Sequence, residues 1–288
     1  MMFFPVIYVM KYLYYDIKER VGSGLNDRKC VVSILLEEAR ANDRIAVIPR
    51  FKLSKGHNNN KQIFSQILDD YVIFDDPRYK YTLDIPSDAT WKTILNEDIP
   101  EEETFVKRRF KAVWYCKTWN KYENVSFVTR NSLFKPTDDV RRMGEAVLKD
   151  LRSHGKRTVG VHLRKGDRMS SEEKTRMSPE YIFSMTKHFD CPIYVATNEP
   201  NFVHESFKTY RDFPELSNIS DNYLLFAVEM YVVEQCDVHI KTFRDSEHLY
   251  GSDSKELYYL IQRSMHIHDD KQRNSAYVPE DKLFCFPK

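Results

Sequence analysis

The sequence has no C-x-x-C pair, no internal repeat, no low-complexity tract and no apolar run long enough to span a bilayer. Its five cysteines, Cys30, Cys116, Cys191, Cys236 and Cys285, are scattered and odd in number. That excludes spaced-thiol zinc and redox motifs and points to free thiols in a reducing compartment. Cys30, Cys191 and Cys236 adjoin apolar segments and are expected as small core residues. Net charge is also missing: 44 Lys and Arg face 43 Asp and Glu, so no global basic field advertises nucleic acid. The apolar start, MMFFPVIYVM, lacks a basic n-region and a small-residue cleavage site. It also falls far short of the ~20 residues of a membrane helix. A first strand or a trimmed anchor fits it, the strand better, and a soluble, cytoplasmic chain without a membrane span is expected. Two sequons, at Asn124 and Asn218, are short enough for chance.

What is present is a core and an alternation. Hydrophobic residues make up 42% of the 288 positions and aromatics 14%, enough for one large domain or two of ordinary size. Lys11 to Ile17 reads as a strand, Gly22 to Asp27 as a turn, and Arg28 to Ala41 as a helix with Val31, Leu35 and Ala39 on one face. Ile45 to Ile48 then reads as a buried strand stopped by Pro49, completing a βαβ unit. In the looser middle, Gln62 to Leu68 is expected as helix and Tyr71 to Phe74 as strand. Glu101-Glu-Glu103 followed by Lys107-Arg-Arg109 resembles the acidic and basic ends of an exposed helix.

A second regular region opens at Pro136. Thr137 or Asp138 caps a predicted helix to about Ser153, with Val140, Met143, Val147 and Leu151 inward. Thr158 to Leu163 reads as a buried strand. A helix started by Ser178-Pro179, a strand at Pro192 to Thr197, a helix over Tyr223 to Glu234 and a short strand at Val238 to Ile240 follow. Ser246 to Ser264 is expected as mainly helix. The pattern predicts an α/β protein of two Rossmann-like halves, 1–137 and 138–288.

Three loops after predicted strands carry the candidate chemistry. Gly22-Ser-Gly24 lacks the third glycine of a dinucleotide fingerprint; it is either a plain tight turn or a place where a phosphate nears the backbone. Arg164, Lys165, Asp167 and Arg168 crowd the carboxyl end of a strand, where open α/β sheets bind ligands and a guanidinium grips phosphate bidentately. Thr242 to Ser246 is the third loop. His266-Ile-His268-Asp-Asp270 has no accompanying third-ligand cluster, and a polar helix end explains it better than zinc. Trp114, Tyr115 and Trp119 are expected as packing, although aromatics also stack on sugars.

His162-Leu-Arg164-Lys-Gly-Asp167 resembles the H-x-R-x-x-D signature of the fucosyltransferase superfamily, protein O-fucosyltransferases in particular. Tyr12 to Asp16 followed by Gly22 to Asn26 is similar to their first strand and glycine–asparagine loop. Val228 to Tyr231 and Gln235 to Ile240 are similar to their acidic helix and following strand. Thr242-Phe-Arg244-Asp-Ser246 takes the place of their hydroxyl-rich phosphate loop, although Asp245 stands where a hydroxyl is usual. Residues 55–135 add little.

The resemblance implies a GT-B fold, two Rossmann-like domains facing across a cleft, with the donor bound by the C-terminal half. It further implies inverting transfer with no metal or other cofactor. The donor is a nucleotide sugar, GDP-fucose first, and the acceptor a hydroxyl on a glycan or protein. The absence of any D-x-D triplet also counts against a metal-dependent GT-A transferase. By the same resemblance Arg164 holds the β-phosphate and offsets leaving-group charge. Asp167 orients Arg164, and His162 either touches the donor or is a structural histidine. Glu229 is either a solvated glutamate or a carboxylate accepting the adjacent N1–H and N2–H₂ of guanine. Gly22, Gly24 and Asn26 position substrate, and Thr242, Arg244 and Ser246 hold phosphate. Asp27 either caps the following helix or serves as the base. Two alternatives stay open: another donor such as UDP-xylose, and a non-catalytic nucleotide-sugar or glycan-binding protein.

Overall fold

The structure is a computed structural model describing residues 9–17, 25–48, 51–53, 64–65, 70–74, 76–95, 97–110, 134–153, 157–165, 169–243, 249–251 and 254–261. The chain divides into two compact units, Met1–Lys135 and Pro136–Lys288.

Unit 1 is built on β1 (Tyr12–Ile17), α1 (Leu25–Ala41) and β2 (Ile45–Val47). After these come β3 (Phe51–Lys52), β4 (Phe64–Ser65), β5 (Val72–Phe74), β6 (Tyr81–Thr82), β7 (Lys92–Ile94) and β8 (Phe105–Phe110). β9 (Phe134–Pro136) runs across the division at Lys135. Its main sheet is five-stranded and parallel, in the order β6-β2-β1-β8-β7. Leu13, Val31, Leu35, Val47 and Val106 are all buried in its core.

Three expectations fail here. Phe64–Ser65 is a strand, paired antiparallel with β3, where a helix is expected. Lys107-Arg-Arg109 lies on β8, next to β1 in the sheet, and does not end an exposed helix. Its middle residue, Arg108, is wholly buried and held bidentately by Glu38 from α1, at 3.0 Å from Nε and 2.7 Å from Nη2. The Tyr15 hydroxyl donates to the same carboxylate at 2.5 Å. A buried charge persists only when paired and hydrogen-bonded, and Glu38 is 70 residues from Arg108 in the chain. Finally, α1 starts at Leu25, so Asn26 and Asp27 occupy its first turn instead of the preceding loop. Asp27 therefore does not cap a helix beginning at Arg28.

Unit 2 opens with α2 (Asp138–Ser153). Asp138 and Asp139 in its first turn and Arg152 in its last suit the helix dipole. The Thr137 hydroxyl accepts from the Val140 N–H at 3.4 Å. Val140, Met143, Val147 and Leu151 form its buried stripe. Then follow β10 (Val159–Leu163), α3 (Ser171–Arg176), α4 (Pro179–Thr186), β11 (Ile193–Thr197), β12 (Phe207–Lys208) and α5 (Pro214–Ser217). The unit closes on α6 (Asn222–Glu234), β13 (Val238–Phe243) and β14 (Glu256–Ile261). Glu256–Ile261 is thus a strand where helix is expected; it extends the sheet as a half-buried edge.

The sheet of unit 2 is parallel, in the order β12-β11-β10-β13-β14. Renumbered within the sheet this is 3-2-1-4-5, the Rossmann order, with its switch point between β10 and β13. One face packs Val159, Val161, Ile193, Val195 and Ile240 into the core. On the other, α6 approaches so closely at Gly160 that a Cβ there would stand 2.7 Å from the Val233 Cα.

Candidate functional site

β10 runs from apolar to charged, and the sheet places its carboxyl end at the switch point. His162 is buried, and its register partner on β13 is Lys241, also buried. Partners in a parallel pair share a face, so the imidazole and the lysine stand side by side at this end of the sheet. Phe226 of α6 lies 6.4 Å from the His162 ring, centroid to centroid. Arg164 and Lys165, both half-buried, follow immediately. Asp167, expected to orient Arg164, lies outside the described residues.

The strand β13 continues through Thr242 and Phe243, so Thr242 sits in the sheet and not in a loop. It is fully buried. Its hydroxyl donates to the His162 carbonyl at 2.8 Å and accepts from the Arg164 N–H at 2.7 Å. The expected phosphate contact from Thr242 does not fit this placement, because a phosphate oxygen needs a donor and the single O–H is already engaged. Arg244 and Ser246 lie outside the described residues.

The loop after β11 reaches back to the same point. The Asn198 side-chain amide donates to the Lys165 carbonyl at 3.0 Å. Lys165 Nζ is 3.9 Å from Glu199 Oε2, and Arg211 Nη2 donates to the Glu199 carbonyl at 3.1 Å. Lys241 and Asn198 carry no signal in the sequence. The first sits in a strand expected to stop at Ile240, and the second is a polar residue after a strand with no motif around it.

Glu229, the candidate for reading guanine, lies inside unit 2. It is buried on α6, and the fully buried Tyr194 hydroxyl donates to its Oε1 at 3.4 Å. Burial pushes its carboxyl up to about 8, against smaller opposing effects from Tyr194 and the Arg211 charge. That direction favours the neutral carboxyl, whereas the paired guanine contact calls for a carboxylate accepting twice.

In unit 1, Gly22 and Gly24 lie outside the described residues, and Asn26 and Asp27 are placed by backbone alone in the first turn of α1. At the carboxyl end of β1, Asp16 pairs with its register partner Arg109 of β8 at 3.2 Å. Trp114, Tyr115, Trp119, His266 and His268 also fall outside the described residues. Among the described residues no cluster of three His, Cys, Asp or Glu has the arrangement of a metal site. No helix among them is long and apolar enough to cross a membrane.

No protein-family model and no curated protein matches the sequence. Solved structures do match by fold. POFUT1 in complex with GDP-fucose superposes with a TM-score of 0.53 at 10% identity, over 87% of this chain and 98% of that one. NodZ alpha-1,6-fucosyltransferase co-crystallized with GDP gives 0.52 at 11% identity, over 84% and 90%. Fucosyltransferase NodZ from Bradyrhizobium gives 0.52 at 11%, over 84% and 91%. The likeness establishes the fold: a mixed α/β chain with two parallel sheets, of the GT-B class.

Proposed function

We propose that the chain is a glycosyltransferase that moves L-fucose from GDP-fucose to a hydroxyl on a glycan or protein, by inversion and without a metal. One observation carries this reading: in a fold shared with GDP-fucose-bound POFUT1, Arg164 stands at the carboxyl end of β10, beside the switch point. Open α/β sheets bind ligands there.

In this reading the Arg164 guanidinium binds the β-phosphate. As the bond from the sugar C1 to the phosphate oxygen breaks, that fixed charge offsets the negative charge gathering on GDP. The acceptor oxygen attacks C1 from the opposite face and loses its proton to a base. Asp27 is the candidate base; Asn26, Gly22 and Gly24 position substrate. His162 supports the strand end, Asp167 orients Arg164, and Arg244 and Ser246 hold phosphate. Burial raises the Glu229 carboxyl and so works against its ionised, guanine-reading form, which keeps UDP-xylose as the second donor to test.

The experiment is a panel of nucleotide sugars, with chelator and without added metal, followed by release of GDP or UDP. GDP release from GDP-fucose is expected, unchanged by chelator. Arg164→Ala is expected to lower it ~10²–10³-fold with the circular dichroism spectrum intact. Release of UDP from UDP-xylose alone would overturn the fucose assignment. Near wild-type turnover in Arg164→Ala would overturn the mechanism, and donor binding without turnover would make the chain a binding protein.

A further inference from the structure

The main-chain ladder between β10 and β13 has its register from Val159↔Val238 to His162↔Lys241. Arg164 lies beyond the last pair, and its N–H finds its partner in a side chain, the Thr242 hydroxyl, at 2.7 Å. That hydroxyl is fixed in turn by donating to the His162 carbonyl at 2.8 Å. It thus bridges the two residues flanking Leu163 from the strand across the switch point. On the opposite flank Asn198 holds the Lys165 carbonyl at 3.0 Å. The Asn198–Glu199 turn is itself tied down: the Glu199 N–H donates to Thr197 Oγ1 at 3.3 Å, and Arg211 binds the Glu199 carbonyl. The Arg164-Lys165 backbone is therefore gripped from β13 on one side and from the loop after β11 on the other.

We propose that Thr242 and Asn198 are positioning residues for Arg164: they fix its main chain so that the guanidinium meets the donor diphosphate, and neither contacts phosphate itself. The proposal rests on the donor reading above. The chemistry separates the two roles for Thr242. Turning its one O–H toward a phosphate would give up its 2.8 Å bond to the His162 carbonyl. Thr242 is wholly buried and Asn198 exposed, so the Thr242 contact, shielded from water, is the stronger of the two.

A double-mutant cycle decides the matter. GDP binding to the full chain is measured by calorimetry for wild type, Thr242→Val, Thr242→Ser, Asn198→Ala, Arg164→Ala and the Arg164→Ala double variants. Thr242→Val is expected to weaken GDP about 10-fold and Asn198→Ala about 3-fold, as for a buried and an exposed hydrogen bond. Thr242→Ser, which keeps the hydroxyl, is expected to restore affinity. In the Arg164→Ala background either change is expected to shift affinity by less than about 2-fold, because nothing remains to position. Losses that add in full to that of Arg164→Ala would identify independent phosphate ligands and overturn the proposal. Should Thr242→Val not fold, the Asn198→Ala arm reads the same grip from the solvent side.

Amide exchange supplies a readout without ligand. The Arg164 amide is expected to be protected in wild type and to exchange freely in Thr242→Val while Val159 to Val161 stay protected. Unchanged protection would overturn the clasp. Failure of wild type to bind GDP would break the donor reading, with the exchange result still judging the clasp.

Discussion

The two sheets share an architecture and treat charge in opposite ways. Each has five parallel strands with its first strand at the centre. Unit 1 closes its charge inside the core: the Arg108 guanidinium has Glu38 on two nitrogens, and its third nitrogen donates to the Leu95 and Glu97 carbonyls at 2.6 and 3.0 Å. Arg44 likewise donates to the Glu103 carbonyl at 2.8 Å and the Pro100 carbonyl at 2.7 Å. Unit 2 instead brings His162, Arg164, Lys165 and Lys241 to the carboxyl end of its sheet, and fixes the backbone there with a hydroxyl and an amide. Charge satisfied in mid-sheet is architecture. Charge gathered at the switch-point end stands where open α/β sheets take ligands.

The largest effect should come from breaking the closed charge. Arg108→Met leaves Glu38 buried without its main partner, and one-sided loss of a buried pair costs ~3–5 kcal/mol. Denaturant unfolding is expected to show that loss. Arg108→Met with Glu38→Leu is expected to recover part of it, because apolar replacement of both partners removes the stranded charge. A single variant within about 1 kcal/mol of wild type, as for a surface pair, would erase the contrast between the units.

The same contrast explains what was legible in the sequence. The helix over Asp138–Ser153 was readable because its apolar stripe repeats locally. The strand ending in Arg164 was readable because an apolar run gives way to charge within a few residues. β8 was not: Lys107-Arg-Arg109 has the composition of a solvated helix end, and the residue that makes Arg108 tolerable in a core lies on α1, far away in sequence. β14 failed for another reason. Every residue of its Glu256–Ile261 run is half-buried, so neither face gives the clean alternation of a strand. At the site, Arg164 announced itself by charge, whereas Thr242 announced only its hydroxyl. Its actual role depends on a strand 78 residues downstream lying against β10.

Gly160 probes how unit 2 holds its layers together. An added Cβ would meet main-chain atoms of α6, Val233 Cα at 2.7 Å and its carbonyl oxygen at 2.9 Å, and a backbone cannot rotate aside. Overpacking of this kind costs ~1–3 kcal/mol, occasionally more. Gly160→Ala is therefore expected to lower the unfolding midpoint and to disturb α6 against β10. Gly144→Ala is a milder version, since the obstacle is the Tyr231 ring, a side chain that can tilt at the expense of its 2.6 Å hydrogen bond to Glu145. If Gly144→Ala proved the more damaging of the two, the backbone approach at Gly160 would not be what sets the packing of α6.

The effect most specific to unit 2, and the smallest at any one step of pH, is a slope with pH. Unlike Glu38, Glu229 is buried without a bidentate cation, and burial raises its carboxyl from 4.5 to about 8. Between those values the folded chain holds a proton that the unfolded chain has lost. Stability must then fall as pH rises, because the folded state binds more protons. The loss from this group begins near pH 4.5, is nearly complete above pH 8, and cannot exceed about 1.4 kcal/mol per pH unit for one proton. Glu229→Gln keeps the shape and a hydrogen-bonding oxygen for Tyr194 while removing the titration. The difference in unfolding free energy between wild type and Glu229→Gln, measured from pH 5 to 9, is expected to grow with pH in favour of the glutamine variant. A difference independent of pH would mean that Glu229 is ionised in the fold, which would restore it as a carboxylate able to read the donor's base.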